Sequence, residues 1–288
     1  MPIHLRVEND GFEGIFYQGR DPDKKALIVM SGSNGGLSLT RKEAEFYRNN
    51  EISALALALF RTQDTPKELS RIPIEYVESA IRWLRGQGYE KIGIDGMSKG
   101  SEMALLAASM FSEISCVIAR VPSYFVSEGI AGAGKSKRPS GTSCWSYQGR
   151  DIPYAPYQSR KFSMMKAFLR EREVHIIDFN RDKEVRPDTI IPVDRIKGPI
   201  LLISSKHDEI WPSYESACRI ERELREKAFT YPVRHVALDY ISHAVTAMDL
   251  PGIYKLVFRT ERQHPKECRR DREILREELL FWVNEVWK

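Results

Sequence analysis

Short runs of consecutive apolar residues alternate along this chain with longer stretches in which apolar positions return every three or four residues. ALIVMS (26–31), ISALALAL (52–59), KIGID (91–95), CVIA (116–119), PILLIS (199–204) and PVRHVAL (232–238) predict short strands buried on both faces. Helical spacing falls on residues 41–50, 74–86 (after Pro73), 99–111, 214–227 and about 270–287. Alternation of this kind predicts an α/β chain, a mostly parallel sheet with helices on both faces. The opening segments HLRVE and GIFYQG read as an antiparallel hairpin at one sheet edge.

One region breaks the rhythm. Residues 121–195 carry GIAGAGKSKRPSGTSCWSYQGRDIPYAPYQ and FSMMKAFLREREVHII, too much chain for an ordinary connection between a helix and a strand. The expectation is a single domain over residues 1–288 with a cap insertion at about 121–195. Trp145, Tyr147, Tyr154 and Tyr157 in that insertion either wall a pocket above the sheet or simply pack the insertion down. Trp145 and Tyr147 are the candidate substrate contacts.

Composition narrows the class. At 288 residues, 42% hydrophobic and 29% charged, the chain can bury a sizeable core and is neither disordered nor collagen-like. Lys and Arg total 44 against 40 Asp and Glu, a net charge of +4 with both signs interspersed, which gives nucleic-acid binding little support. The N-terminus has no basic segment followed by an apolar run, and no stretch approaches a spanning helix, so no membrane association and a cytoplasmic location are expected. Cys116, Cys144, Cys218 and Cys268 lie far apart without zinc-finger spacing. Reduced thiols, no metal and no bound cofactor are therefore expected.

The sharpest local signal is Gly96-Met97-Ser98-Lys99-Gly100, directly after the strand KIGID and directly before the helical run SEMALLAASMF. A nucleophilic serine has to stand on such a tight strand-to-helix turn so that its hydroxyl projects above the sheet, and flanking glycines let neighbouring backbone approach. The hydroxyl needs a base to take its proton, and the base needs a carboxylate to orient it. Asp208 follows PILLIS in SSKHDEIWPS, at the carboxyl end of a strand, with Glu209 as a rival. Of six histidines, His243 fits best because it lies just beyond the last strand, in LDYISHAV. His4, His175, His207 and His235 read as structural, and His264, in the late loop RTERQHPKE, is the alternative.

Acyl transfer also requires donors aimed at the oxygen that becomes negative. The backbone N–H of Lys99 at a helix N-terminus is one candidate, and the amide of Ser33 or Asn34 in SGSNGG (31–36) is the other. SGSNGG is followed by no Gly-Lys-Ser/Thr, so a Walker loop is excluded, and the dinucleotide fingerprint is not matched. The Lys99 side chain reads as solvated surface, although a cation there hints at an acidic ligand or a neighbouring carboxylate. Lys99, Lys135, Lys137 and Arg138 are candidates for a basic face at the pocket mouth. The late run RTERQHPKECRRDREILREEL reads as a solvated face.

GMSKGSEMALLAA, TPKELSRIPIEYVESAIRWL, CWSYQGRDIPYAP and VDRIKGPILLISSKHDEIWPS together resemble the C-terminal catalytic domain of the acyl-CoA thioesterases and bile acid-CoA:amino acid N-acyltransferases, from about Gly11 to Lys288. The resemblance implies an α/β-hydrolase fold with Ser98 as nucleophile, Asp208 as acid and His243 as base. Two departures stand out: Ser242 precedes His243 where the family usually has Gly, and Ser205-Lys206-His207 precede Asp208 in place of Gly and acidic residues. Mammalian members carry an N-terminal β-sandwich, whereas this chain begins almost directly at the hydrolase hairpin. In the family, Cys at the nucleophile position accompanies transfer to an amine and Ser accompanies hydrolysis. The expected activity is a serine hydrolase acting on a small-molecule acyl thioester or ester. A carboxylesterase, lactone hydrolase or peptidase on the same residues, or a non-catalytic binding protein that kept the pocket, are the alternatives.

Overall fold

The computed structural model describes residues 2–20, 24–132, 137–157, 185–250 and 252–288. In chain order the strands are β1 (Ile3–Leu5), β2 (Gly14–Tyr17), β3 (Lys25–Met30), β4 (Ser53–Leu57), β5 (Ile72–Pro73), β6 (Lys91–Met97), β7 (Ile114–Arg120), β8 (Glu128–Ala131), β9 (Arg138–Ser143), β10 (Trp145–Tyr147), β11 (Arg150–Asp151), β12 (Ile200–Ser205) and β13 (Val233–Leu238). The helices are α1 (Val7–Asp10), α2 (Ser38–Asn49), α3 (Glu75–Gly86), α4 (Lys99–Met110), α5 (Ser213–Glu226), α6 (Gly252–Val257), α7 (Arg259–Gln263) and α8 (Pro265–Phe281).

Eight strands form the main sheet in the order β1-β2-β4-β3-β6-β7-β12-β13. From β4 to β13 the neighbours run parallel, and β1 and β2 join antiparallel at one edge. Alternate side chains of the central strands serve two separate cores, as a strand's twofold period requires. Ile28, Leu55, Ile94, Val117 and Leu202 face α3, α4 and α5. Leu27, Val29, Ala54, Ile118 and Leu201 face α2 and the end of α8. This is the mostly parallel sheet covered on both faces that the alternation predicts, and the layout of the α/β-hydrolase fold that the resemblance implies.

Several local expectations are corrected. The opening hairpin is present, but HLRVE leaves the sheet after Leu5 and coils into α1. PVRHVAL is a strand, yet as the sheet edge β13 it is half-buried rather than enclosed, because no described strand lies beyond it. RTERQHPKE is not a loop: it forms α7 and the first turn of α8, with Pro265 opening the helix. Of the insertion, β8 and β9 form a hairpin, and β10 joins β11 and the short β5 from between β4 and α3. The described part of 121–195 is thus sewn to the segment after β4. His175 and Lys135 lie outside the described residues.

Candidate active site

Ser98 stands between β6 and α4 with φ 58° and ψ −119°. Non-glycine residues rarely adopt this conformation, and holding one there costs about 1–3 kcal/mol. The turn can be that tight because Gly96 has no side chain, since a Cβ there would sit 2.1 Å from the carbonyl oxygen of Gly100. Neighbouring strands fix the strain in place: the Ser98 amide donates to the Arg120 carbonyl at 2.9 Å, and its own carbonyl accepts the Ser101 amide at 2.9 Å.

Two loops from distant parts of the chain meet this hydroxyl. His243 Nε2 lies 2.8 Å from Ser98 Oγ, and His243 Nδ1 lies 2.8 and 2.9 Å from the two carboxylate oxygens of Asp208. The Asp208 carboxylate also accepts the amides of Ile210 at 2.9 Å and Trp211 at 3.2 Å, which fixes its orientation. Ser98, Asp208 and His243 are only 5%, 8% and 9% exposed, so the three groups interact in a weakly screened environment. An imidazole bonded to a carboxylate through Nδ1 presents a lone pair at Nε2, which is the arrangement that can remove a hydroxyl proton.

The loop that carries His243 is gripped from both ends by buried ions. On one side Arg120 donates to Glu43 at 2.8 Å, to Asp95 at 2.9 Å and to the Val245 carbonyl at 3.1 Å, while Glu43 accepts the Ala247 amide at 3.2 Å. On the other, Asp271 accepts the amides of Tyr240 at 2.6 Å and Ile241 at 2.8 Å. Glu261, paired with Arg272, accepts the Ser242 hydroxyl at 2.9 Å. Glu261, Asp271 and Arg272 belong to the late run that was read as a solvated face, yet all three are buried. They are buried because α7 and α8 fold under the loop, which helical spacing alone does not reveal.

The two segments expected to supply oxyanion donors both adjoin Ser98. Lys99 opens α4, where the first amides lack intrahelical acceptors. The loop after β3 comes against Ser98 at Gly32, where an added Cβ would lie 2.8 Å from Ser98 Cβ. Ser33 and Asn34 follow in that loop, and the Asn34 carbonyl is turned towards Arg61 at 3.5 Å.

Beside the site, Tyr124, Phe125, Trp211, Pro122 and Pro212 line a largely apolar cavity of about 20 Å³, room for about one water. Trp211 meets the His243 ring edge-on at 5.3 Å and donates its indole N–H to the Val121 carbonyl at 3.1 Å.

Over residues 72–251 the chain matches the family described as BAAT / Acyl-CoA thioester hydrolase C terminal. The chain belongs to this family. The match is narrower than the stretch from Gly11 to Lys288 over which the resemblance was expected. Its curated relatives include rat acyl-coenzyme A thioesterase 1, 28% identical over 69% of this chain and 43% of the relative. Mouse peroxisomal succinyl-coenzyme A thioesterase is 27% identical over 65% of this chain and 41% of the relative. The aligned stretch therefore spans less than half the length of these relatives. Among solved structures, Est1E from Butyrivibrio proteoclasticus aligns over 99% of both chains with a TM-score of 0.52 and 14% identity. Acylaminoacyl peptidase from Pyrococcus horikoshii aligns over 100% of this chain and 42% of its own with a TM-score of 0.57 and 12% identity. These two show the shared fold.

In this BAAT C-terminal chain several candidate side chains have other places than expected. Lys99 is not solvated: its ammonium is fully buried, pairs with Glu102 at 3.2 Å and contacts Ser127. Burial opposes its charge, but the Cys144 sulfur and the Glu102 carboxylate hold it above the ordinary lysine value. Trp145 does not line the cavity; it is fully buried and donates its indole N–H to Glu102 at 2.7 Å. Tyr147 packs against Phe111, just beyond the far end of α4 from Ser98. Trp145 and Tyr147 thus pack the segment down, and Tyr157 is likewise buried, beside Lys99.

Among the rival histidines, His235 contacts Ser204 and the His264 ring lies tilted against Tyr240 at 5.0 Å, while His4 sits on β1 and His207 beside Tyr240. The Glu209 carboxylate accepts from the Thr260 hydroxyl at 3.2 Å. Sequence reasoning missed Tyr124 and Phe125. Their signal was position: they follow β7, at the carboxyl ends of parallel strands where such sheets place ligands. Among the described residues no group of three or more metal-ligating side chains is assembled, and no helix is long and apolar enough to cross a membrane.

Proposed function

We propose that this protein is a serine hydrolase that cleaves an acyl thioester, of the acyl-CoA type, or a related ester through an acyl-Ser98 intermediate. One observation carries the reading: His243 bridges the Ser98 hydroxyl and the Asp208 carboxylate through its two ring nitrogens, each at 2.8 Å. Family membership supports the thioester, and serine rather than cysteine at position 98 supports water as the final acceptor.

His243 takes the Ser98 proton as Oγ attacks the acyl carbon, and the carbonyl oxygen becomes an oxyanion held by the Lys99 amide and that of Ser33 or Asn34. Collapse breaks the bond from carbon to sulfur, or to oxygen in an ester, and His243 returns its proton to the leaving group. Water then enters, gives a proton to His243 and attacks the acyl carbon; the second collapse releases the carboxylic acid and restores the serine. Asp208 orients the ring and stabilises the transient imidazolium.

Purified protein should hydrolyse butyryl-CoA and react with a fluorophosphonate probe. Ser98→Ala should keep the fold by circular dichroism and lower kcat by about 10⁴-fold or more, with probe labelling lost. Undiminished turnover or labelling in Ser98→Ala would falsify the reading. A panel of acyl-CoA, aryl ester and peptide substrates, ranked by kcat/KM, fixes the leaving group.

A further inference from the structure

Lys99 carries two donors with different fates. Its amide, at the start of α4, finds no acceptor among the described residues, which is the state in which a helix start can receive an anion. Its side chain is saturated. The buried ammonium meets three acceptors, one for each proton: Glu102 Oε2 at 3.2 Å, the Glu128 carbonyl at 3.5 Å and the Ser127 hydroxyl oxygen. Glu102, fully buried, is saturated in turn. One of its oxygens accepts the Ser127 amide at 2.8 Å and the Trp145 indole N–H at 2.7 Å, and the other accepts the Ser127 hydroxyl at 2.6 Å and the ammonium.

This network ties distant segments to the first turn of α4. Ser127 and Glu128 lie at the start of β8 and Trp145 opens β10. The ammonium also lies 5.6 Å from the centre of the Tyr157 ring and 6.0 Å from that of Trp211. Trp211 connects the cation to the chemistry, because its ring meets His243 edge-on and its amide donates to Asp208. An ion pair this deeply buried adds little stability that apolar side chains of similar volume would not match. What it adds is direction, since a polar network satisfied at every lone pair and proton favours one arrangement of the segments it joins.

We propose that the Lys99 side chain and Glu102 are positioning residues of the Ser98 hydrolase: their ion pair holds the first turn of α4, and with it the Lys99 amide, against Trp211 and the Asp208 loop. Oxyanion donor, nucleophile and base then keep one mutual geometry. The inference rests on the hydrolase reading of Ser98 and deepens it by extending the site to a buried pair whose side chains touch no substrate. A donor displaced by a few tenths of an ångström loses its hold on the oxyanion while the ground-state acyl group binds as before, so the loss falls on kcat.

The test compares the wild type with Glu102→Gln and with the double variant Lys99→Met/Glu102→Gln, measuring urea midpoints beside the hydrolysis of butyryl-CoA. Glu102→Gln keeps an acceptor for Trp145 and the Ser127 amide but strands the ammonium. It should lower both the midpoint and kcat, kcat by about 30-fold or more, with KM within about threefold. It should also raise, by a similar factor, the Ki of butyl trifluoromethyl ketone, whose serine adduct places an oxyanion at the donors. The double variant removes the stranded charge, so its midpoint should return towards the wild type while kcat stays low. A kcat that recovers with the midpoint to within about twofold of the wild type marks a merely structural pair and overturns the inference. Should the double variant not fold, Ser127→Ala, which removes only the hydroxyl between the two ions, decides: a fall in kcat matched by a rise in Ki supports the role, and unchanged values overturn it. If the wild type neither hydrolyses thioesters or esters nor reacts with a fluorophosphonate, the hydrolase reading fails and the inference falls with it, whereas an active wild type with indifferent variants overturns the inference alone.

Discussion

The guanidinium of Arg120 donates to the carbonyl oxygen of Val245 at 3.1 Å across 125 residues of sequence, while the Arg120 carbonyl accepts the amide of Ser98. One residue at the end of β7 is thereby bonded both to the turn that carries the serine and to the loop that carries the histidine. The separation of Ser98 from His243 is in this way tied to a buried ionic cluster of Arg120, Glu43 and Asp95.

Removing the cation should therefore be costly. Arg120→Met leaves Glu43 and Asp95 buried without their partner, in a site where burial already pushes both carboxyls upward. The expected destabilisation is about 3–5 kcal/mol, read as a drop in the urea midpoint. An unchanged midpoint would show that the cluster contributes nothing to the fold.

The opposite grip on the histidine loop should act on the proposed catalysis. Glu261→Ala removes the acceptor of the Ser242 hydroxyl and strands Arg272, so His243 loses its fixed approach to Ser98. We expect kcat to fall by about 100-fold at nearly constant KM, with partial recovery in Glu261→Gln, which retains an acceptor oxygen. A loss confined to KM speaks against this positioning role.

Gly32 sets the distance between the loop after β3 and Ser98. In Gly32→Ala the new methyl would lie 2.8 Å from Ser98 Cβ and 3.1 Å from Ser98 Oγ, inside contact distance. The loop has to retreat by a few tenths of an ångström, carrying the Ser33 and Asn34 amides with it. The expected outcome is a fall in kcat of about 100-fold while far-ultraviolet circular dichroism stays native. Gly86→Ala, whose Cβ would meet nothing within 4 Å, serves as the control and should raise stability by about 0.5–1 kcal/mol.

Glu209, next to Asp208, has one carboxylate oxygen without a partner among the described residues. Burial, and then the Asp208 charge, push its carboxyl up to about 7. An unfolded glutamate ionises near the ordinary value, so stability present at about pH 4 is lost as pH rises through 7, by on the order of 2–3 kcal/mol. Glu209→Gln removes this loss. Its urea midpoint should match the wild type near pH 4.5 and exceed it at pH 7.5, and equal midpoints at both values sink the assignment.

Much of the site was legible because its signals are local. Gly96, Ser98 and the strand and helix around them are adjacent in sequence, and Asp208 and His243 each follow a recognisable strand. Chain order then restricts which histidine can return over the sheet. The Lys99 side chain was misread for the complementary reason: a lysine at a helix start looks solvated until Ser127 and Tyr157, from the insertion, close over it. Trp145 was misplaced in the same way, since its hydrogen-bond partner Glu102 lies 43 positions earlier.

The sequence by itself determined the alternating architecture, the serine turn and the order in which Asp208 and His243 follow it. Backbone periodicity and turn sterics act over a few residues and leave direct marks in the chain. Only the tertiary structure decided which charges are buried together and which aromatics line the cavity. Ion pairing and side-chain packing join segments tens to hundreds of positions apart, and the free energy of a charge depends on those neighbours rather than on the residues beside it in sequence.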